Sequence, residues 1–339
     1  MKLLKSIKAL SAAAAVSVTA MSGVAQAEMM DRTFCVWDPV GANGPLFNVM
    51  KSAKPSAMKW GINLELKAYT DEKIAAEDFK AGQCDSVLLT GTRARDFNKF
   101  TGSLEAIGAI PGSEEMKMIL QTLTQPKAAK LMVSGEYEVA GILPAGAIYL
   151  YTRDRTIDTV EELQGKKVAT LDYDQASITM VRHVGASVVG ASTANFAGKF
   201  NNGSVDVAYA PAVAYTPLEL YKGLGENGGI FDFSLAQMNF QIIVRPDRFP
   251  EGYGQKVRDY TATRYEEAYK LVEVAEAEIK KEYWVKPSVE NLEGYTKMLQ
   301  EVRISLRDEG VYDAKALRLM RKVRCKKNPT NSECSEKRE

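Results

Sequence analysis

The sequence has a single histidine, His183, and its four cysteines include no C-x-x-C pair. Structural and catalytic zinc sites draw on several Cys or His ligands, so the composition argues against a metal centre. His183, between Arg182 and Val184 in a helical stretch, reads as surface or satisfied core. Charge of one sign is lacking as well. Against 44 basic residues stand 43 acidic ones, and both signs are spread along the chain, so no global field favours nucleic acid or an anionic membrane. Beyond the first 27 residues no apolar run approaches the roughly 18 to 20 needed to span a bilayer. Walker-type phosphate loops, H-E-x-x-H and G-x-S-x-G are missing. Gly223-Leu-Gly-Glu-Asn-Gly228 fits G-x-G-x-x-G, but a helical Leu218–Lys222 precedes it and a β-like Gly229–Phe233 follows, the reverse of a dinucleotide fingerprint. It reads as a turn. Carboxylates are plentiful, yet no pair stands out. The expectation is a protein without catalysis, cofactor or metal.

The first residues, Met-Lys-Leu-Leu-Lys-Ser-Ile-Lys8, are followed by a small and apolar run from Ala9 to Val24 and by Ala25-Gln26-Ala27. A basic start, an apolar middle and an A-x-A end make residues 1–27 a secretory signal peptide, with the mature chain starting near Glu28 in the periplasm. No Cys marks the junction for a lipid anchor. Removing Lys2, Lys5 and Lys8 takes the net charge from +1 to −2. In an exported chain cysteines tend to pair. Cys325 and Cys334 bracket a turn-rich polar segment, so a local disulfide is expected in the polar tail, residues 324–339. Cys35 and Cys84 lie in predicted strands of one lobe and are either a second disulfide or buried thiols.

Some 310 mature residues exceed what one core usually serves, so two lobes are expected. Thr33–Trp37 reads as a strand, Asp38–Gly44 as a turn cluster feeding a helix through Lys59, Ile62–Tyr69 as an alternating strand, Glu72–Lys80 as a helix capped by Asp71, and Cys84–Thr90 as a third strand. A helical region, Glu114–Leu131, and two strands, Tyr137–Leu143 and Ala147–Tyr151, follow. The same grammar repeats in strands Lys167–Leu171, Ser187–Val189 and Val205–Tyr209 with helices between them. Phe240–Val244 reads as a return strand. From Gly254 onwards helices dominate: Lys256–Lys281, Ser288–Asp308 and Ala314–Val323. Alternating β and α elements imply parallel pairing with right-handed crossovers. The expected fold is α/β, a two-lobed periplasmic-binding-protein-like fold of type II: residues 28–150 as lobe 1 with a return segment near 239–255, residues 151–238 as lobe 2, and bracing helices over 256–323. Hinges are expected at Tyr151–Asp158 and Met238–Gln241.

Thr159-Val-Glu-Glu-Leu-Gln-Gly-Lys-Lys-Val168 resembles the P-E-D-L-K-G-K-K-I-R entrance to the second domain of solute receptors of tripartite ATP-independent periplasmic (TRAP) transporters. The likeness continues through Val184–Val189, Phe196–Gly203, Val205-Asp206, Pro211 and Arg245–Pro250, about half the chain, and extends to an uncharacterised solute-binding branch some of whose members carry efflux-pump labels. The resemblance implies a periplasmic receptor that binds a small organic molecule between its lobes and delivers it to membrane transporter subunits; a component associated with an efflux pump is the alternative. Membership also implies an arginine after the G-K-K-I strand to salt-bridge a ligand carboxylate. Here that position is Ala169, and Tyr149 stands where a second arginine would be. Neither forms the bidentate fork that arginine offers a carboxylate.

In α/β sheets ligands collect at strand C-terminal ends, which makes the loops there the candidate site. Trp37, Asp38 and Asn43 follow the first strand; Thr90, Thr92, Arg93 and Arg95 follow the third; Asp172, Tyr173 and Gln175 belong to the second lobe with Tyr209 and Tyr215, and Tyr149 lies on the crossover. Aromatic faces can sandwich a ligand or a cation while Asp and Arg fix charged ends. Arg93 or Arg95 is the expected anion contact; for a cationic ligand Asp38, Asp172 and Asp174 would form the cage. The receptor is read as a monomer that binds no nucleic acid and does not span the membrane.

Overall fold

The computed structural model describes residues 29–339, so the expected signal peptide and its cleavage point lie outside the described residues. The first three strands are β1 (Met30–Trp37), β2 (Ile62–Tyr69) and β3 (Ser86–Thr90), with β1 parallel to both of the others. Helices Pro45–Lys59 and Glu72–Lys80 make the crossovers. Asp71 starts the second of these by accepting a hydrogen bond from the Lys73 amide at 2.8 Å, and Gly82 follows its end at a φ of 78° that favours glycine. All five residues of β3 are buried, as expected for a strand covered on both faces.

Five further strands carry the sheet onwards: β4 (Val133–Ser134), β5 (Tyr137–Thr152), β6 (Lys167–Leu171), β7 (Ser187–Ala191) and β8 (Val207–Pro211). Then come β9 (Gly229–Phe231), β10 (Ala236–Val244) and β11 (Trp284–Val285). The strand order is β2-β1-β3-β10-β5-β8-β6-β7, with β4 and β9 paired to β5 and β11 to β9. The two three-stranded ends, β2-β1-β3 and β8-β6-β7, are the sheets of two lobes, and antiparallel β5 and β10 run between them. Tyr137–Leu143 and Ala147–Tyr151 are therefore one 16-residue strand rather than two. Pro144 and Gly146 look like a strand end in sequence, but β10 pairs across them: Met238 faces Gly146, Asn239 faces Pro144, and Ala145 is the extra residue of a bulge.

The helix expected over Lys256–Lys281 is two, Tyr253–Ala262 and Tyr265–Glu278, joined at Thr263-Arg264. Helix Val289–Asp308 packs on helix Gln175–His183 of the second lobe, while Ala314–Lys327 packs on Ser113–Leu123 of the first. Among the described residues no helix is long and apolar enough to cross a membrane. Both disulfides are formed, Cys35–Cys84 with Cα atoms 5.9 Å apart and Cys325–Cys334 with 5.6 Å. The tail is held by more than its disulfide. Glu333 and Glu339 are buried against Arg303 and Arg324, and Arg303 Nη2 lies 2.9 Å from Glu333 Oε2.

Candidate functional site between the lobes

A cavity of about 480 Å³ opens where the two lobes face each other, a size typical of small-molecule sites. Its back is the crossing of β5 and β10, through Leu143, Pro144, Ala145, Ile148, Met238 and Phe240. Trp37 to Val40, with Pro45, Leu46 and Val49, form the first lobe's wall; Ala169, Leu171, Met180, Phe196, Tyr209–Pro211, Val213, Ala214 and Thr216–Leu218 contribute the second's. A further wall is helix Tyr265–Glu278, by way of Ala268, Leu271, Val272 and Ala275. These recur at helical spacing, so a stripe is legible in sequence, but a stripe does not reveal whether it meets a core or a cavity.

Of the residues expected at the site, Trp37, Asp38, Thr90, Thr92, Arg95 and Tyr209 line the cavity. Asp38 is fully buried and accepts hydrogen bonds from the Val40 and Phe47 amides at 2.9 and 3.0 Å, so its carboxylate caps the loop. Trp37 donates through Nε1 to the Thr70 carbonyl at 3.3 Å. Thr90 Oγ1 accepts from the Arg93 amide and caps helix Gly91–Ala94.

The other seven do not line it. Tyr149 points to the opposite face of β5 from Ile148, donates to Glu276 Oε1 at 2.7 Å and sets its ring edge-on against Trp284. Arg93 is buried with its guanidinium carbon 3.2 Å from the Tyr173 ring centroid, and the Tyr173 hydroxyl donates to Glu72 Oε2 at 2.8 Å. Tyr215 packs on Tyr221 in the second lobe's core. Asn43, Asp172 and Gln175 are exposed, Gln175 hydrogen-bonding Thr179 at 3.2 Å.

Two lining residues, Glu105 and Tyr312, carry no signal in the sequence pattern. Glu105 ends the turn Ser103–Glu105 and is buried beneath helix Gly91–Ala94. Its carboxylate accepts from the Gly91 amide at 3.1 Å, the Thr92 amide at 2.8 Å, the Thr92 hydroxyl at 2.5 Å and the Asn239 amide at 2.8 Å. Burial nevertheless pushes its carboxyl up to about 7, outweighing those bonds and the positive Arg95. Gly91 has no alternative residue here: a Cβ would sit 2.6 Å from Glu105 Oε1. Arg95 Nη1 lies 3.1 Å from Asp174 Oδ1, and its guanidinium carbon sits 5.0 Å from the centroid of the Tyr312 ring. The phenols of Tyr209 and Tyr312 each accept a backbone amide, from Leu171 and Ile107 respectively, and burial pushes both well above the ordinary tyrosine range. Both stay neutral hydrogen-bond donors at any ordinary pH.

A two-lobed α/β fold with one sizeable cavity between its lobes is that of a solute-binding protein. The family described as "Solute-binding protein AdeT 1/2" matches residues 50–339, and the chain belongs to it. It is 43% identical over 301 residues to "Probable solute-binding protein AdeT1" of Acinetobacter baumannii, covering 88% of this chain and 99% of the relative. Among solved structures, a TRAP periplasmic solute-binding protein from Desulfovibrio salexigens with bound orotic acid superposes with a TM-score of 0.70 at 12% identity, over 87% of this chain and 97% of that one. Another from Roseobacter denitrificans, with bound β-D-glucuronate, gives 0.69 at 14% identity, over 86% and 99%. At such identities the likeness establishes the fold, which the TRAP-type resemblance of Thr159–Val168 had implied.

Proposed function

We propose that this solute-binding protein works in the periplasm after removal of residues 1–27, capturing a small organic molecule in the interlobe cavity and delivering it, unchanged, to separate membrane transporter subunits. The cavity carries this reading. It is bounded by both lobes and by the strands that run between them, so an occupant touches every part that a closure would move. In this reading residues 28–150 with a return near 239–255 form one lobe and 151–238 the other, hinged at Tyr151–Asp158 and Met238–Gln241. The contacts are Trp37, Thr90, Thr92, Arg95 and Tyr209 with the apolar wall. The efflux-associated alternative would call for a long heptad hairpin bridging membranes; the helices after Gly252 pack along the lobes instead. A thermal-shift screen over a metabolite library tests the proposal. A ligand at about 100 times its dissociation constant should stabilise by roughly 2.7 kcal/mol and be recovered chemically unchanged; recovery of a converted product would mean catalysis.

A further inference from the structure

Resting on the receptor reading, we infer that the cavity takes a neutral molecule with a largely apolar body, because the groups that could hold a ligand anion are already occupied by acidic side chains of this chain. Donors suited to an anion do gather near Arg95, one of the two arginines expected to contact one. Two consecutive amides, of Gly91 and Thr92, and the Thr92 hydroxyl converge below β3, with Arg95 nearby. Their acceptor is the Glu105 carboxylate, at 3.1, 2.8 and 2.5 Å. Glu105 therefore stands where a ligand carboxylate would otherwise be received. The guanidinium of Arg95 is matched by Asp174 at 3.1 Å, whereas Arg264, the other arginine on the wall, meets Glu267 in a half-exposed pair at the solvent edge. Lysine does not line the cavity at all. A ligand carboxylate would give up its water shell and find the buried cation already matched, which disfavours its burial.

The buried carboxylates are likewise engaged within the chain, and Glu278 lies exposed at the edge. Asp38 holds two amides, Asp174 holds Arg95 and the Ala176 and Ser177 amides, and Glu278 at the edge holds the Thr216 hydroxyl at 2.5 Å. The surface left to a ligand is aliphatic and aromatic, and it continues outwards. At the mouth Val40, Leu271 and Val274 are 48%, 51% and 51% exposed, an apolar rim that a hydrophobic guest would cover. Polar complementarity comes from the neutral phenols of Tyr209 and Tyr312, which can donate to a carbonyl or ether oxygen.

Two dyes that share one skeleton separate the possibilities: neutral N-phenyl-1-naphthylamine and its sulfonated counterpart 1-anilinonaphthalene-8-sulfonate, both of which brighten in apolar surroundings. The full mature chain should bind the neutral dye saturably at one site, with the sulfonate at least tenfold weaker and neither glucuronate nor orotic acid stabilising. Leu271→Asp, on an exposed rim position that leaves the fold intact, should weaken the neutral dye several-fold. Asp174→Asn, which keeps a helix cap but frees Arg95, should raise affinity for the sulfonate several-fold. Tighter binding of the sulfonate by the unaltered protein, preferential stabilisation by a carboxylate, or no response to either variant overturns the neutral-ligand inference and leaves the receptor reading standing. Absence of saturable binding by either dye and by every compound of the metabolite screen overturns both.

Discussion

Arg95 of the first lobe and Asp174 of the second form an ion pair across the cavity, Nη1 to Oδ1 at 3.1 Å, with side chains only 12% and 11% exposed. Beside it Tyr173 of the second lobe reaches Glu72 of the first. The lobes are thus latched at one end of the cavity by pairs of side chains from within the chain. Removing one partner of a buried pair leaves the other desolvated, whereas replacing both is often close to neutral. Arg95→Met should cost about 3 kcal/mol in urea unfolding, and adding Asp174→Asn should restore most of it. Additive losses in the double variant would mean that the two residues do not act as a pair.

Glu105 makes stability depend on pH with a definite sign. Its folded pKa of about 7 lies above the ordinary 4.5, so between those values the folded protein holds a proton that the unfolded chain releases. The stabilising contribution is full below pH 4.5 and is lost as pH rises through 7. The unfolding free energy of the native protein minus that of Glu105→Gln should therefore fall by roughly 2.5 kcal/mol between pH 5 and pH 8. A difference that is flat, or that grows with pH, would show Glu105 to be ionised throughout.

The two disulfides close loops of different length, with sequence separations of 49 and 9. Loop-closure entropy gives about 4 kcal/mol for Cys35–Cys84 and about 3 kcal/mol for Cys325–Cys334. Cys35 and Cys84 are also fully buried between strands, so replacing them with alanine removes packed sulfur as well. Paired Cys→Ala variants compared by urea unfolding should rank in that order. A larger loss from the C-terminal pair would show that the Arg303–Glu333 and Arg324–Glu339 contacts depend on it.

What could be read in the sequence was what is local. β2 and β6 have the bounds that alternation and turn residues imply, and Asp71 caps its helix as its position suggests. β5 was obscured because Pro144 and Gly146 carry strand-breaking propensity that pairing with β10 overrides. The site followed the same division. Strand-end loops bring Trp37, Thr90 and Arg95 to the cavity wall, but the period of two that sends Tyr149 away from Ile148 could not be phased without the sheet. Glu105 was invisible because its role is made by Asn239, 134 positions distant, and by a helix end that gives no hint of an internal acceptor. In the tail, nothing local marks Glu333 and Glu339 for burial, because their partners Arg303 and Arg324 come from helices that only the fold brings beneath them.

Calorimetric titration of the most stabilising compound into the mature chain and into Ala268→Trp tests most directly whether the interlobe cavity is the binding site. Ala268 is half-buried on helix Tyr265–Glu278 and faces the cavity, so the indole can fill the cavity without displacing core. One site per chain in the native protein, with affinity lowered at least tenfold in the variant, is the predicted result. Unchanged affinity in a folded Ala268→Trp protein would contradict it and place the ligand elsewhere on the molecule.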